Sequence, residues 1–155
     1  MKWLRMKLKK IFILILSTLL LSCNRVEDEI FILPKNYTGY ILVIYNQPLS
    51  GAEVQYKRGK RVYEIPSNGI LKTQFSNESG LRSFSEFYYE KISLENKIPY
   101  VLPRNDIPTD STVACCKIYG SQGDVEYTLY EVGNREQINE ANKLAEMLDI
   151  KNLAE

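Results

Sequence analysis

The sequence predicts a mainly β (α+β) fold, an antiparallel sheet or sandwich of about six to eight strands with one C-terminal helix. Between residues 30 and 133, short runs of β-branched and aromatic residues are separated by turns that contain Gly, Pro or Asn. After Gly133 the spacing of apolar residues changes from 2 to about 3.6, which is typical of an amphipathic helix. We expect this helix over residues 134–150.

The stretch from Gly39 to Tyr45 is the most apolar part of the predicted domain. It is rich in β-branched and aromatic residues and is short enough for a strand. Its apolar residues do not alternate with polar ones, so both faces should be covered. We therefore expect it to be the central strand.

Two pairs of runs predict hairpins. Glu53–Tyr56 and Val62–Ile65 flank a charged loop at residues 57–61, and Val113–Tyr119 and Val125–Val132 flank a loop with two glycines. The charges of the first loop are either a solvated loop tip or a patch for an anionic ligand. Further strands are predicted within residues 30–34, 70–75, 81–90 and 92–102, and an irregular connection over residues 103–111.

The C-terminal helix has a clear start signal. Asn134 can act as N-cap, and Gln137 three residues later resembles the second half of a capping box. Five apolar residues then share an arc of about 120° on a helical wheel, as expected of a face packed on a core. They are Ile138, Ala141, Leu144, Ala145 and Leu148.

The N-terminal segment predicts export. Lysines precede an apolar run from Ile11 to Leu21, the order of a secretory signal, and a run of 11 residues falls short of the roughly 20 that span a bilayer. The residues Leu20, Leu21, Ser22 and Cys23 resemble the lipobox of bacterial lipoproteins. That resemblance implies a signal peptide over residues 1–22 and lipidation of Cys23 with diacylglycerol and palmitate. The alternative is an ordinary signal peptide with an incidental cysteine.

Lipidation of Cys23 would determine how the chain is divided into segments and where in the cell the protein is found. Residues 23–29 would form the lipidated, acidic tether, and residues 30–155 a single β-rich domain with the C-terminal helix. The expected location is the cell envelope, most simply the outer membrane, facing the periplasm or the cell surface. The membrane would be the first partner, through the N-terminal lipid.

Composition excludes several classes of function. Removal of residues 1–22 leaves 15 basic and 19 acidic residues, a net charge of −4, which argues against nucleic-acid binding. The chain has no histidine, so Ser-His and Cys-His activation of a nucleophile is excluded. We predict no catalytic residue, no cofactor and no metal ligand.

Three further groups of residues are candidates for a functional role. Glu86 and Glu90 are the best acid pair for a hydrolase, but along a strand their Cα atoms would lie about 13 Å apart, against the 5 Å or so between the carboxyls of a retaining glycosidase. Tyr88, Tyr89 or Tyr100 could form a recognition platform, although most tyrosines of a β domain serve packing. Strand alternation predicts Cys116 inward and Cys115 outward, with a vicinal or an intermolecular disulfide as the alternatives.

Two stretches carry a resemblance to known proteins. Residues 31–39 and 61–73 resemble a group of small bacterial exported proteins and lipoproteins whose shared domain, here residues 30–133, has no assigned function. A looser likeness links residues 48–54 to transthyretin-like and carboxypeptidase regulatory-like sandwiches, at the level of fold only. We therefore expect a non-catalytic binding or assembly module with an envelope protein or glycan as partner. The alternative is a carboxylate-dependent hydrolase of envelope glycans or peptides.

Overall fold

The computed structural model describes residues 26–78, 80–102 and 104–155, except for the side chain of Arg104. Two compact units are present, and the larger comprises Glu27–Glu78 and Ser83–Glu155. The described residues of the smaller unit are Val26 and residues 80–82, where the Val26 N–H donates to the Leu81 carbonyl at 3.2 Å. Among the described residues, no helix is both long enough and apolar enough to cross a bilayer.

The described residues of the larger unit form ten strands, a 3₁₀ turn and two helices. The strands are β1 (Glu29–Leu33), β2 (Gly39–Ile44), β3 (Gln55–Lys57), β4 (Lys60–Glu64), β5 (Ile70–Lys72), β6 (Glu86–Tyr89), β7 (Lys97–Ile98), β8 (Tyr100–Val101), β9 (Val113–Gln122) and β10 (Val125–Gly133). A 3₁₀ turn covers Arg104–Asp106, and the helices are α1 (Arg135–Ala145) and α2 (Ile150–Ala154).

The strands form two mixed sheets of five strands each. The first has the order β3-β4-β1-β6-β7, with β1 parallel to both β4 and β6. The second has the order β5-β2-β10-β9-β8, with antiparallel β2-β10 and β10-β9 pairs and parallel pairs at its two edges. Strand β2 is therefore an interior strand, and Ile41 to Ile44 are fully buried on both of its faces, as its sequence predicts.

The two sheets pack face to face around an aromatic core. The Phe31 ring of β1 lies 4.8 Å from that of Phe87 and 4.9 Å from those of Tyr63 and Tyr130, measured between centroids. Such ring pairs each contribute about 0.5–1.5 kcal/mol beyond their burial. Because Tyr130 belongs to the second sheet and the other three rings to the first, this cluster fixes the two sheets together.

The helices cover the other face of the second sheet. Helix α1 begins at the predicted capping box, in which the Gln137 N–H donates to the Asn134 side chain and the Asn134 N–H donates back to the Gln137 side chain. Ile138 and Ala141 of α1 are buried. Ile150 of α2 packs against Leu42, Ile44 and Leu129 of the sheet.

The predicted fold class, mainly β with a C-terminal helix, is confirmed. Some boundaries differ. The run at residues 92–102 is divided at Pro99 into β7 and β8, which belong to different sheets, because proline has no N–H to donate to a ladder. Helix α1 ends at Ala145 instead of residue 150, and Asp149 caps a second short helix. Leu144 is 47% exposed, so the helical face is narrower than predicted.

The predicted orientation of the cysteines is wrong. Cys115 is fully buried, Cys116 is partly exposed, and the two form the vicinal disulfide that the sequence left as an alternative. Cys115 does lie on the face opposite Ala114, but α1 covers that face, where Cys115 packs with Val113 and Ile138. A β-bulge turns Cys116 to the same side: Leu129 pairs with Ile118 and Glu131 with Cys115, so two residues of β9 lie opposite the single residue between them.

Candidate functional site

A cleft of about 420 Å³ lies on the outer face of the first sheet. Its size is within the range of small-ligand sites. Side chains alternate along a strand, so Phe31 points into the core while Ile30 points outward into the cleft. On the neighbouring strand β6, Glu86 and Tyr88 share this outer face. We call the feature the outer cleft.

One wall of the outer cleft is cationic. Lys57, Arg58 and Lys60 line it from the hairpin between β3 and β4. Arg58 and Gly59 both have positive φ, 54° and 72°, as the central residues of a type I′ turn require. This turn is tighter than the predicted loop, because Lys57 and Lys60 belong to the strands and form the last pair of the ladder.

The opposite wall is largely apolar. Ile92, Ser93 and Leu94 line it from the connection between β6 and β7. Leu94 is 92% exposed, which leaves an apolar side chain available beside the cations. The outer cleft therefore combines positive charge on one side with apolar surface on the other.

Glu86 lies between these walls as an ionised carboxylate. The Lys60 ammonium lies 2.5 Å from Oε1 of Glu86, and the Tyr88 hydroxyl donates to Oε2 at 2.5 Å. These hydrogen bonds hold the pKa of Glu86 below its usual value of 4.5. Burial and the bond to Glu86 raise the pKa of Tyr88 to about 12, so Tyr88 is a neutral donor at neutral pH.

The pairing of Glu86 with Lys60 leaves an excess of positive charge. Within the described part of the chain, Lys57 and Arg58 have no acidic partner within 4 Å. Lys97 adds a further cation near this face, with its ammonium 5.9 Å from the centre of the Tyr88 ring. An anion entering the outer cleft would meet these cations with little competition from the protein itself.

The outer cleft does not bring two carboxyl groups together. Of the residues that line the outer cleft in the described part of the chain, Glu86 alone carries a carboxyl group. Its lowered pKa keeps it deprotonated at neutral pH, whereas a general acid needs a raised pKa. Glu90 follows β6 with a φ of 54° and is not part of the lining.

The three tyrosines of the suggested platform do not act together. Tyr88 lines the outer cleft, but Tyr89 donates a hydrogen bond to the Tyr37 carbonyl at 3.0 Å. Tyr100 stacks on Phe87 at 5.8 Å. Packing is therefore the main role of Tyr89 and Tyr100. The contributions of Ile92 to Leu94 were missed, because their place beside the hairpin depends on β1 lying between β4 and β6.

Cys23, the predicted lipidation site, lies outside the described residues. The first residues of the described chain lead into β1 within three positions, at Glu29. The acidic tether predicted over residues 23–29 thus ends in a strand, where the last of its acids is fully buried.

Comparison with known protein families assigns the chain to one of them. The family model that matches residues 25–141 is described as a family of unknown function, DUF6843. The chain belongs to this family. The DUF6843 match agrees with the predicted domain of unassigned function and extends beyond residues 30–133 at both ends.

Other comparisons add little to the DUF6843 assignment. No match is found among curated proteins. A crystal structure described as "Putative Lipoprotein from Bacillus anthracis" shares 18% sequence identity, covers 68% of each chain and gives a TM-score of 0.45. A likeness at this level says nothing about what the chain does.

Proposed function

We propose that this DUF6843 protein is a lipid-anchored cell-envelope binding module, and that the outer cleft holds an anionic group attached to an apolar moiety. The observation that carries this proposal is the pairing of a cationic wall at Lys57 and Arg58 with an apolar wall at Ile92 and Leu94. A phosphate or carboxylate would lie against the cations, and the attached hydrocarbon against the apolar wall.

The electrostatics support an anion over other ligands. After removal of the signal peptide the chain would carry a net charge of −4, so a local excess of cations is not a consequence of overall charge. Two unit charges about 4 Å apart interact by about 1 kcal/mol in water and about 4 kcal/mol near a protein surface. Two such cations acting together are sufficient for a weak, salt-sensitive site.

The anchor supports an envelope location. Residues Leu20 to Cys23 resemble a lipobox, and several acyl chains on one cysteine hold a protein stably at a membrane where one chain does not. In this proposal the protein is a peripheral membrane protein of the outer membrane. The ligand is then either a soluble envelope metabolite or a lipid headgroup, since both present the same chemistry.

Binding of anilinonaphthalenesulfonate, an anion on an apolar aromatic frame, tests the cleft. We expect the double variant Lys57→Ser/Arg58→Ser to weaken binding about tenfold, equivalent to about 1.4 kcal/mol. The matched control is Lys143→Ser/Lys151→Ser, which removes two exposed lysines from the helices and should leave binding unchanged. Equal loss in both pairs would show non-specific attraction and would contradict the proposal.

Displacement of the dye distinguishes the two sources of ligand. If the ligand is soluble, hexyl phosphate should displace the dye and vesicles of phosphatidylglycerol should not. If it is a headgroup, the vesicles should displace the dye and vesicles of phosphatidylcholine should not. Failure of both hexyl phosphate and the phosphatidylglycerol vesicles to displace the dye would exclude an anion on an apolar chain as the ligand.

A further inference from the structure

A second group of chemically active side chains lies on the opposite side of the larger unit from the sheet that carries the outer cleft. Cys115 and Cys116 form a disulfide on β9, and Glu131 of β10 is paired directly with Cys115. The donor atoms of the three residues all lie within 4.8 Å of one another. Neither the outer cleft nor the lipid anchor uses these residues.

The bulge brings the three side chains together. Cys116 has a φ of 65°, in the left-handed region, which turns its side chain back toward Cys115. Cys115 and Glu131 are both fully buried. Cys115 packs in an apolar cluster with Ile107, Val113 and Ile138, the last of which belongs to α1.

Glu131 places a carboxylate beside the two sulfur atoms, and reduction of the disulfide would turn these sulfurs into two thiols. Cysteine thiolates and a carboxylate are ligands that Zn²⁺ accepts, and thiolates exclude hard cations such as Mg²⁺.

We propose that, once the disulfide is reduced, Cys115, Cys116 and Glu131 bind a thiophilic divalent cation of the Zn²⁺ class. Oε2 of Glu131 lies 3.9 Å from Sγ of Cys115. Bonds of about 2.3 Å to sulfur and 2.0 Å to oxygen at a tetrahedral angle place such ligand atoms about 3.5 Å apart. The oxygen is therefore almost in place, and the two sulfurs must separate when their bond is broken.

The partly exposed Cys116 provides access for both the reductant and the ion. A dithiol of an exported thiol oxidoreductase attacks Cys116 through one thiolate, which breaks the bond between the two sulfurs and forms a mixed disulfide. Its second thiol then displaces Cys116, so the partner leaves as a disulfide and both cysteines become thiols. Binding of the cation by the two thiols releases two protons. Water completes the fourth position on the exposed side.

The test is titration of the full chain with Cd²⁺ and Zn²⁺, once in the oxidised form and once after reduction of the disulfide by a phosphine. The phosphine is removed under anaerobic conditions before the titration. The reduced protein should bind one Cd²⁺ per chain with the ultraviolet charge-transfer band of thiolate ligands, and Zn²⁺ should displace it. The oxidised protein should show no band. Near-ultraviolet circular dichroism of the aromatic core reports whether the reduced chain keeps its fold.

Variants identify the ligands. Cys116→Ser should abolish the band, and Glu131→Gln should weaken Zn²⁺ binding by about tenfold or more, because one of three protein ligands is lost. Glu126→Gln on the same strand is the matched control and should bind as the wild type does. A folded reduced protein without the band would contradict the proposal, as would equal affinity of Glu131→Gln and wild type. A reduced chain that unfolds and does not refold with Zn²⁺ would also contradict it.

Discussion

The ammonium of Lys60 and the carboxylate of Glu86 lie 2.5 Å apart and join β4 to β6 across the intervening strand β1. Each side chain is less than a third exposed. The pair forms part of the wall of the outer cleft and neutralises one of its three cations. The local charge, and with it the affinity for an anion, should therefore depend on Glu86.

Neutralising Glu86 should strengthen anion binding. Glu86→Gln removes the sole carboxylate of the described cleft lining and releases Lys60, so we expect the affinity for anilinonaphthalenesulfonate to rise about threefold to tenfold. Stability should fall by less than about 1 kcal/mol, because the pair is partly exposed. Glu140→Gln on α1 is the matched control. If Glu86→Gln binds the dye as the wild type does, or more weakly, while Glu140→Gln is unchanged, the cleft does not attract the anion.

The same carboxylate should contribute to the pH dependence of stability. Its pKa is lowered from 4.5 in the folded protein, first by the hydrogen bond from Lys60. A carboxyl group whose pKa is lower in the folded state than in the unfolded state stabilises the folded protein. This contribution to stability is fully present above the pKa of the unfolded state and is lost as the pH falls through the pKa of the folded state.

Urea unfolding of wild type and Glu86→Gln at a series of pH values measures this contribution. The difference in free energy of unfolding should be constant above pH 4.5 and should shrink below it. A difference that grows as the pH falls would have the wrong sign and would contradict the assigned pKa shift.

A buried ion pair between the two sheets should matter more for stability than the pair in the cleft. The Lys117 ammonium lies 2.7 Å from Oε2 of Glu29, which also accepts hydrogen bonds from Ser85 at 2.9 Å and Tyr130 at 3.2 Å. Glu29 is 1% exposed. Lys117→Met removes this cation from the buried carboxylate, so we expect a loss of about 3–5 kcal/mol.

Denaturant unfolding gives the size of that loss. The double variant Glu29→Gln/Lys117→Met should recover part of it, because no unpaired charge then remains buried. Lys143→Met, at an exposed position of α1, should change the free energy of unfolding by about 0.5 kcal/mol or less. Equal effects of the two lysine substitutions would show that the pair between the sheets is not buried in solution.

The lipid anchor has its own prediction. Intact-mass analysis of protein from its native membrane should show a chain that begins at Cys23 and carries added acyl mass. Cys23→Ala should lose both the cleavage and the acyl mass, since the thiol is the site of modification in the lipobox interpretation. A wild-type chain that begins at Cys23 without acyl mass would make the protein a soluble exported domain.

Local signals in the sequence predicted local structure well. The capping box at Asn134 and Gln137, the burial of both faces of β2 and the position of the charged hairpin are each determined by residues close together in the chain. The parallel pairing of β1 with β4 and β6 joins residues about 30 to 60 positions apart and has no local signature. The pattern of apolar and polar residues within one segment does not reveal which distant strand that segment pairs with.

The candidate sites depend on those distant pairings. The charged hairpin was recognised as a possible anion patch, but its apolar counterpart at Ile92 and Leu94 becomes apparent only when β6 is placed beside β1. The bulge at Cys116 depends likewise on the register between β9 and β10. The side chains of Cys115 and Glu131 were therefore not expected to meet.

Locating the bound anion tests the proposed function most directly. Amide NMR titration of the protein with anilinonaphthalenesulfonate should shift signals of Lys57 to Lys60 on the hairpin, Glu86 to Tyr88 on β6, and Ile92 to Leu94 on the opposite wall. These shifts should disappear in Lys57→Ser/Arg58→Ser and persist in Lys143→Ser/Lys151→Ser. Shifts centred on α1 and α2, with the outer cleft unaffected, would contradict the assignment of the outer cleft as the binding site.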